Sequence, residues 1–577
     1  MMTKKIMVKK IILLNFFIAL IFSLIEIFRI ELFYDTSKFI GETLLFSLMT
    51  FGFYLFIFWG IALFLITVIN FLPESLKNFF PERRTLLVLD AGIICLLLLA
   101  QVSSEKVLLK SGHPESSRNK TANLPNILFI TIDTLRQDHL SSTGYKDIST
   151  PHIDYFSKKG ITFTNAFCQI PVTTPSHSSI LTGLNPYIHG SRNNGTPISK
   201  DKDTISSLLS KKGYKTAAFI SSSTLKSNLS GLNKGFEYYD QFLCPRILDE
   251  RIYLSMFGRI ALKLKIYDAV ERTAERANNA AISWLKKNYR KKFFMWMHYF
   301  DPHAPYVKHE GLSSAYLDEN DRYNLKADYN LINSIYDKKF KPSPSELNYI
   351  ISLYDGEIMY VDRKLDMLIK TLKRYGIFDN TLVILTADHG ESLGEHDYYF
   401  YHGSKLYDPS MRIPLFFSGE YINNDKTIIE SEVRSIDIAP SIWQLLDLKK
   451  ENYFEGKSLF PLESLNFSPR YSYGENVNKF SFSRTMISKE DILNKKKSMR
   501  INGRKFIDNP ANEKDEFYNI HNDPGEIFNI IDSTTDTDEF KKILRVIKEQ
   551  YDDKLSTVGT MIDFKTLEEL KTLGYVD

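Results

Sequence analysis

"NILFITID", Asn126 to Asp133, is an apolar run that ends on an aspartate. A strand buried on both faces has this texture, and the first polar residue after it stands at the carboxyl end of the strand. Two further stretches repeat the arrangement. "KFFMWMHYF" (Lys292 to Phe300) leads to His303, and "TLVILTADHG" (Thr381 to Gly390) runs into Asp388 and His389. Between them lie helical patterns such as "TISSLLSKKG" and "GEIMYVDRKLDMLIKTLKRYG" (Gly356 to Gly376), the latter with apolar residues three and four apart and a Gly just past its end. This alternation predicts an α/β fold with a central, mostly parallel sheet between helices. Ligands of such sheets bind beyond the carboxyl ends of the strands, where Asp133, His303, Asp388 and His389 fall.

The texture changes after about residue 450. "KSMRINGRKFI" places Asn-Gly between two strand-like runs, and "EFYNIHNDPGE" is a strand that enters an Asp-Pro-Gly turn. We read residues 125–450 as the catalytic domain and 451–577 as a small antiparallel C-terminal subdomain. No internal repeat is visible.

Residues 1–102 carry three apolar runs, Ile11 to Phe28, Leu44 to Leu72 and Leu86 to Val102, the last broken by Asp90. They suit a hydrocarbon layer of about 30 Å, and three transmembrane helices are predicted. A cleaved leader is the alternative for the first, but it lacks a small-residue cleavage site and further runs follow. Lys4, Lys5, Lys9 and Lys10 precede the first run, and Lys77, Arg83 and Arg84 lie between the second and third. The positive-inside bias therefore predicts a multi-pass protein of the cytoplasmic membrane, with everything after Val102 outside the cytoplasm. Residues 103–124 read as a polar linker.

The chain has 577 residues, 44% hydrophobic and 25% charged, with a net charge of +4 from scattered lysines. No basic stripe recommends nucleic acid as a partner. Of the three cysteines, Cys95 lies in the third apolar run. Cys168 and Cys244 could pair, but two thiols make neither a disulfide framework nor a metal motif.

"PVTTPSHSSILTG" (Pro171 to Gly183) reads as a helix start, with Thr174 as N-cap and Pro175 at the first helical position. That alone needs no function. A helix start also attracts a tetrahedral anion, and Thr173 stands just ahead of it. An alcohol needs a base or a metal to attack phosphorus or sulfur near neutral pH. Asp133, Asp388 and His389, with the Thr173 oxygen, could form an oxygen-rich cation site. Other candidates are His303 in "HYFDPHAPY", Arg192 and Asn194 in "HGSRNNG", and His402 and Lys405 in "FYHGSKLYDPSMRIP". For Lys405 and Arg192, solvated surface charge is an equal alternative.

These residues carry a resemblance. From Asn126 onward the chain resembles the sulfatase family of the alkaline-phosphatase superfamily. The motifs occur in family order: "NILFITIDTLRQDHL", "TPHIDYFSKKGITFTNAF", "TTPSHSSILTGLNPYIHG", "DPHAPY", "LTADHGESLGEH", "HGSKLYDPSMRIP" and "EFYNIHNDPGE". The resemblance implies an alkaline-phosphatase-like sheet and one divalent metal ion (Mn2+, Zn2+, Mg2+ or Ca2+) on Asp133, Thr173, Asp388 and His389. It puts the nucleophile at Thr173 and contacts to the ester oxygens at Asn194, His303 and one of His402 or Lys405.

The departures from the family pattern matter as much. Sulfatases usually carry Cys or Ser in a Cys-x-Pro-Ser-Arg motif and oxidise it to formylglycine. Here Thr173 and His177 occupy the Cys and Arg places, and a secondary alcohol cannot yield the aldehyde, so no formylglycine is expected. Thr134 stands where a second Asp is usual, and "ISSST" replaces a Lys-Trp-His motif. These features resemble the phosphoethanolamine and phosphoglycerol transferases of the same superfamily. The expected function is a membrane-anchored, metal-dependent ester hydrolase or transferase acting outside the cytoplasm through a Thr nucleophile. Its expected substrates are phosphate esters in a lipid, glycan or small molecule, and its expected neighbour is the lipid bilayer. Sulfate-ester hydrolysis is the alternative, and a silent protein that binds an anionic glycan or lipid headgroup is a third reading.

Overall fold

The computed structural model describes residues 124–243, 271–309, 311–312, 325, 327–422, 426–448, 453–467, 470–477, 492–510, 513–534 and 536–552. The three predicted transmembrane segments lie outside these residues, as do Cys244 and all but the last residue of the predicted linker. Among the described residues no helix is long and apolar enough to cross a membrane.

The strands run in the order β1 (Asn126–Ile132), β2 (Gly160–Phe167), β3 (Lys215–Phe219), β4 (Tyr238–Asp240), β5 (Phe293–Tyr299) and β6 (Thr381–Ala387). A short ribbon of β7 (Ser392–Leu393) and β8 (Tyr399–Tyr401) follows, and then β9 (Arg412–Ser418), β10 (Thr427–Ile429) and β11 (Val433–Arg434). The main sheet has the order β10-β2-β9-β6-β1-β5-β3-β4, with β11 also on β2. β1 lies between β5 and β6 and parallel to both, whereas β9 runs antiparallel to β2 and β6. The sheet is thus mixed and mostly parallel. Every residue of β1, β5 and β6 is buried, which is why those strands read as unbroken apolar runs.

The longer helices are α1 (Pro151–Lys158), α2 (Thr173–Thr182), α3 (Ile205–Lys211), α4 (Ala274–Asn288), α5 (Pro344–Arg374), α6 (Ile438–Leu445) and α7 (Asp538–Ile547). The first six fall into two groups. α5 packs on α1 and α4 over the sheet, while α2 packs on α3 and α6. α5 begins well before the predicted Gly356, because Ser343 and Glu346 form a reciprocal capping box with Pro344 behind the cap. α2 corrects another expectation. Val172, with extended backbone, is the N-cap, so Thr173 and not Pro175 takes the first helical position. Proline is tolerated there because the first-turn N–H groups lack intrahelical acceptors in any case.

The C-terminal sheet joins β12 (Ser472–Glu475), β13 (Lys497–Ile501), β14 (Arg504–Asp508) and β15 (Glu516–Asn519) in that order, all antiparallel. Asn502 and Gly503 make the expected two-residue turn, with φ of 50° and 69°. Phe540 and Leu544 of α7 close over Met499, Phe506 and Phe517, each such side chain contributing about 1.5–3 kcal/mol on burial.

Candidate active site

Strand register assembles the site. Ile132 of β1 pairs with Ala387 of β6, so Asp133 and Asp388, the next residue of each strand, leave the sheet side by side. On the other flank Thr131 pairs with His298 of β5. Parallel partners project to the same face, and that is the face on which α2 lies: Ser176 Oγ donates to the Asp388 carbonyl at 2.6 Å.

Asp133, Asp388 and His389 bring ligand atoms within 4.8 Å of one another, all buried. Asp388 Oδ1 accepts from the amides of Thr134 (3.3 Å) and His389 (2.9 Å), and Thr134 adopts a left-handed φ of 54° there. Asp388 Oδ2 and both oxygens of Asp133 have no partner. His389 Nδ1 donates to the Gly390 carbonyl at 2.9 Å, which leaves a lone pair on Nε2, also without a partner. Burial, with the fields of Asp388 and Glu391, holds the Asp133 carboxyl well above the usual range, and burial does the same to Asp388. Burial keeps His389 neutral. Two unsolvated carboxylates beside a bare imidazole lone pair are costly unless a cation joins them, so this donor set fits a divalent metal ion.

The Thr173 hydroxyl is buried beside the Asp133 carboxylate, whose charged form it favours, and forms no hydrogen bond of normal geometry. The two threonines therefore separate. Thr174 spends its hydroxyl on the Thr224 carbonyl (2.7 Å) and its amide on Asn194 Oδ1 (2.9 Å). That contact orients Asn194, whose Nδ2 stays buried and without a partner. His177 Nδ1 donates to the Thr173 carbonyl at 2.8 Å, and its Nε2 accepts from Thr131 Oγ1 at 3.0 Å, which accepts in turn from Trp296 Nε1 at 2.9 Å. Burial pushes His177 down to about 3, so no cation stands at this position.

His303, His402 and His389 form one cluster, with ring centroids 5.2 Å (His303 to His402) and 4.3 Å (His389 to His402) apart. His303 Nδ1 donates to the Ala304 carbonyl at 2.6 Å, and His402 Nδ1 lies 3.1 Å from Glu391 Oε1. Lys405 is directed elsewhere, its ammonium 5.9 Å from the Tyr407 ring centroid. Of the two alternatives, the structure brings His402 to the cluster. Arg192 is not part of it either. Its guanidinium is buried against Glu475 and Asp552, tying the C-terminal region to the core.

The sequence reading missed Glu391 and His298. A histidine inside an otherwise apolar strand is the available signal, since a buried imidazole needs partners. Its Nε2 lies 3.4 Å from Asp133 Oδ2.

A mixed α/β sheet with a buried cation site at its strand ends defines the class, and the comparisons give the family. Residues 125–448 match the sulfatase family, and residues 394–554 match the C-terminal part of N-sulphoglucosamine sulphohydrolase. The chain belongs to the sulfatase family of the alkaline-phosphatase superfamily and is a sulfatase-like hydrolase. An arylsulfatase of Clostridium perfringens is 25% identical over 461 residues, covering 71% of this chain and 90% of the relative. The phosphonate monoester hydrolase of Agrobacterium radiobacter shares the fold with a TM-score of 0.57 at 19% identity, over 74% of this chain and 96% of its own. A protein solved with its substrate D-glucosamine-2-N,6-O-disulfate does so with a TM-score of 0.57 at 19% identity, over 75% of this chain and 99% of its own.

Proposed function

We propose that this enzyme is a metal-dependent hydrolase or transferase of phosphate esters that uses Thr173 itself as nucleophile. The observation that carries this reading is the buried, unpartnered Thr173 hydroxyl in a site where both oxygens of Asp133 and Oδ2 of Asp388 also lack partners. Asp133, Asp388, His389 and Thr173 would hold one divalent cation, for which the single imidazole favours Mn2+ or Zn2+ over Ca2+. When bound, that cation lowers the pKa of the alcohol and draws charge from the ester oxygens.

Thr173 Oγ loses its proton to solvent and attacks phosphorus in line with the departing ester oxygen. The bond to the leaving alcohol breaks, and His402, its Nδ1 fixed by Glu391, delivers the proton that alcohol needs. The threonyl ester has no second hydroxyl to expel, so water or an acceptor alcohol must attack the same phosphorus and break the Oγ–P bond. Phosphoryl centres accept such repeated displacement with electrostatic help alone.

Sulfate-ester hydrolysis is the second reading, supported by the family match and the Clostridium perfringens arylsulfatase. Assays of Thr173→Ala and Thr173→Ser on a phosphodiester and an aryl sulfate decide between them. Loss with Ala and partial retention with Ser on the phosphodiester support the first reading. Ready release of sulfate without phosphodiester turnover overturns it.

Anchoring of the enzyme in the cytoplasmic membrane, with the catalytic domain outside, is part of the proposal and rests on the three apolar runs and their flanking cations. A reporter fused after residue 110 that behaves as cytoplasmic would refute it. Phosphorylated or sulfated lipid and glycan are the substrate classes this placement brings within reach.

A further inference from the structure

His298 and His389 both direct Nε2 at Asp133, at 3.4 and 3.7 Å, yet they cannot do the same chemistry. The backbone sets the tautomer of each. His389 Nδ1 faces a carbonyl oxygen, that of Gly390, so Nδ1 carries the proton and Nε2 a lone pair. His298 Nδ1 instead accepts from the Ser221 amide at 3.1 Å, so the proton of the neutral ring is on Nε2. Ser221 is held firmly in that position. Its Oγ donates to the His298 carbonyl at 2.6 Å, and its own carbonyl accepts from the Arg272 amide at 3.1 Å.

A cation satisfies lone pairs and leaves donors unmet. It would engage Asp133, Asp388, His389 and the Thr173 oxygen, but His298 Nε2–H and Asn194 Nδ2–H would still be buried donors without acceptors. An N–H at 3.4 Å from a carboxylate oxygen is not satisfied by it. Buried donors left without acceptors beside a cation site call for an oxyanion.

We propose that His298 is a catalytic residue of the ester-transfer site, donating its Nε2–H to a non-bridging oxygen of the bound phosphate or sulfate group, and that it is not a metal ligand. The inference rests on the ester-transfer reading of this site. The oxyanion here would be met by neutral donors, His298 Nε2–H and Asn194 Nδ2–H, as well as by a bound cation.

The test uses the full chain in detergent, with inorganic phosphate and inorganic sulfate as probes in calorimetry and metal content measured in parallel. His298→Ala should keep the metal content of the wild type and bind phosphate about ten-fold more weakly or worse, the loss expected for one hydrogen bond to a charged group. His298→Gln, which places an amide N–H near the position of Nε2, should restore most of the affinity. If the alanine variant does not fold, His298→Met, of similar size and without a donor, replaces it. Loss of metal in the donor-less variant would make His298 a ligand, and unchanged affinity for both anions would leave it no role; either result overturns the proposal. A preference for sulfate over phosphate in the wild type identifies the ester class while leaving the donor role supported. An inactive His298→Ala alongside a fully active Thr173→Ala would sink the nucleophile and spare the donor.

Discussion

His177 reaches back one helical turn to hold the carbonyl of Thr173 at 2.8 Å. Thr131 and Trp296 fix its other nitrogen, so the first residue of α2 is positioned by a chain of hydrogen bonds that starts in β5. His177→Ala leaves the buried Thr131 hydroxyl proton without its acceptor and removes the side-chain bond to the Thr173 carbonyl, and should cost about 1–3 kcal/mol of stability. His177→Gln can keep one of the two bonds and should lose less. Thermal unfolding of both variants beside their turnover checks this; equal loss in both would contradict it.

Metal content separates the cation site from a structural cluster. Asp388→Ala removes the oxygen that faces both His389 and His177, at 3.4 and 3.5 Å, and should abolish stoichiometric metal. A chelator should lower the Tm of the wild type and leave that of the variant unchanged. A ligand at about a hundred times its Kd stabilises by about 2.7 kcal/mol, which sets the size of the shift. Equal metal in both proteins rejects the site.

Glu391 fixes His402 by its Nδ1 while Tyr306 approaches the other carboxylate oxygen at 3.4 Å. If His402 protonates the leaving alcohol, Glu391→Gln should slow esters of poorly acidic alcohols by about a hundred-fold and esters of nitrophenol far less. A uniform loss across leaving groups would show that Glu391 only supports the fold.

β1, β5 and β6 are legible in the sequence because strands buried on both faces cannot alternate, and the residue after such a run marks the strand end. Asp133, Asp388 and His389 follow from that alone. The start of α2 does not, since proline fits several first-turn positions and the cap is backbone only. His298 depends on an amide 77 residues away, and Arg192 on carboxylates 283 and 360 residues away. Pairings of that range are set by the packed sheet and leave no local mark.

The C-terminal tie gives a pH dependence with a definite sign. Arg192 and Lys495 hold the Glu475 carboxyl far below its ordinary value of 4.5 despite its burial. A carboxyl depressed on folding adds stability that is complete above the unfolded value and is lost as pH falls below it. Tm should therefore drop steeply below about pH 4.5. Glu475→Gln should start lower, by about 3–5 kcal/mol for a broken buried pair, and respond less to acid. An unchanged slope in the variant would contradict this.

The central claim is that Thr173 becomes covalently esterified, and mass spectrometry of the proteolytic peptide that carries it, after acid quench during turnover of a phosphodiester, tests it most directly. The account predicts a phosphoryl adduct on Thr173 that disappears when substrate is exhausted, and in Thr173→Ser an adduct on the substituted serine in proportion to the turnover that remains. Steady turnover with Thr173 unmodified at every quench time, or full activity in Thr173→Ala, would contradict it.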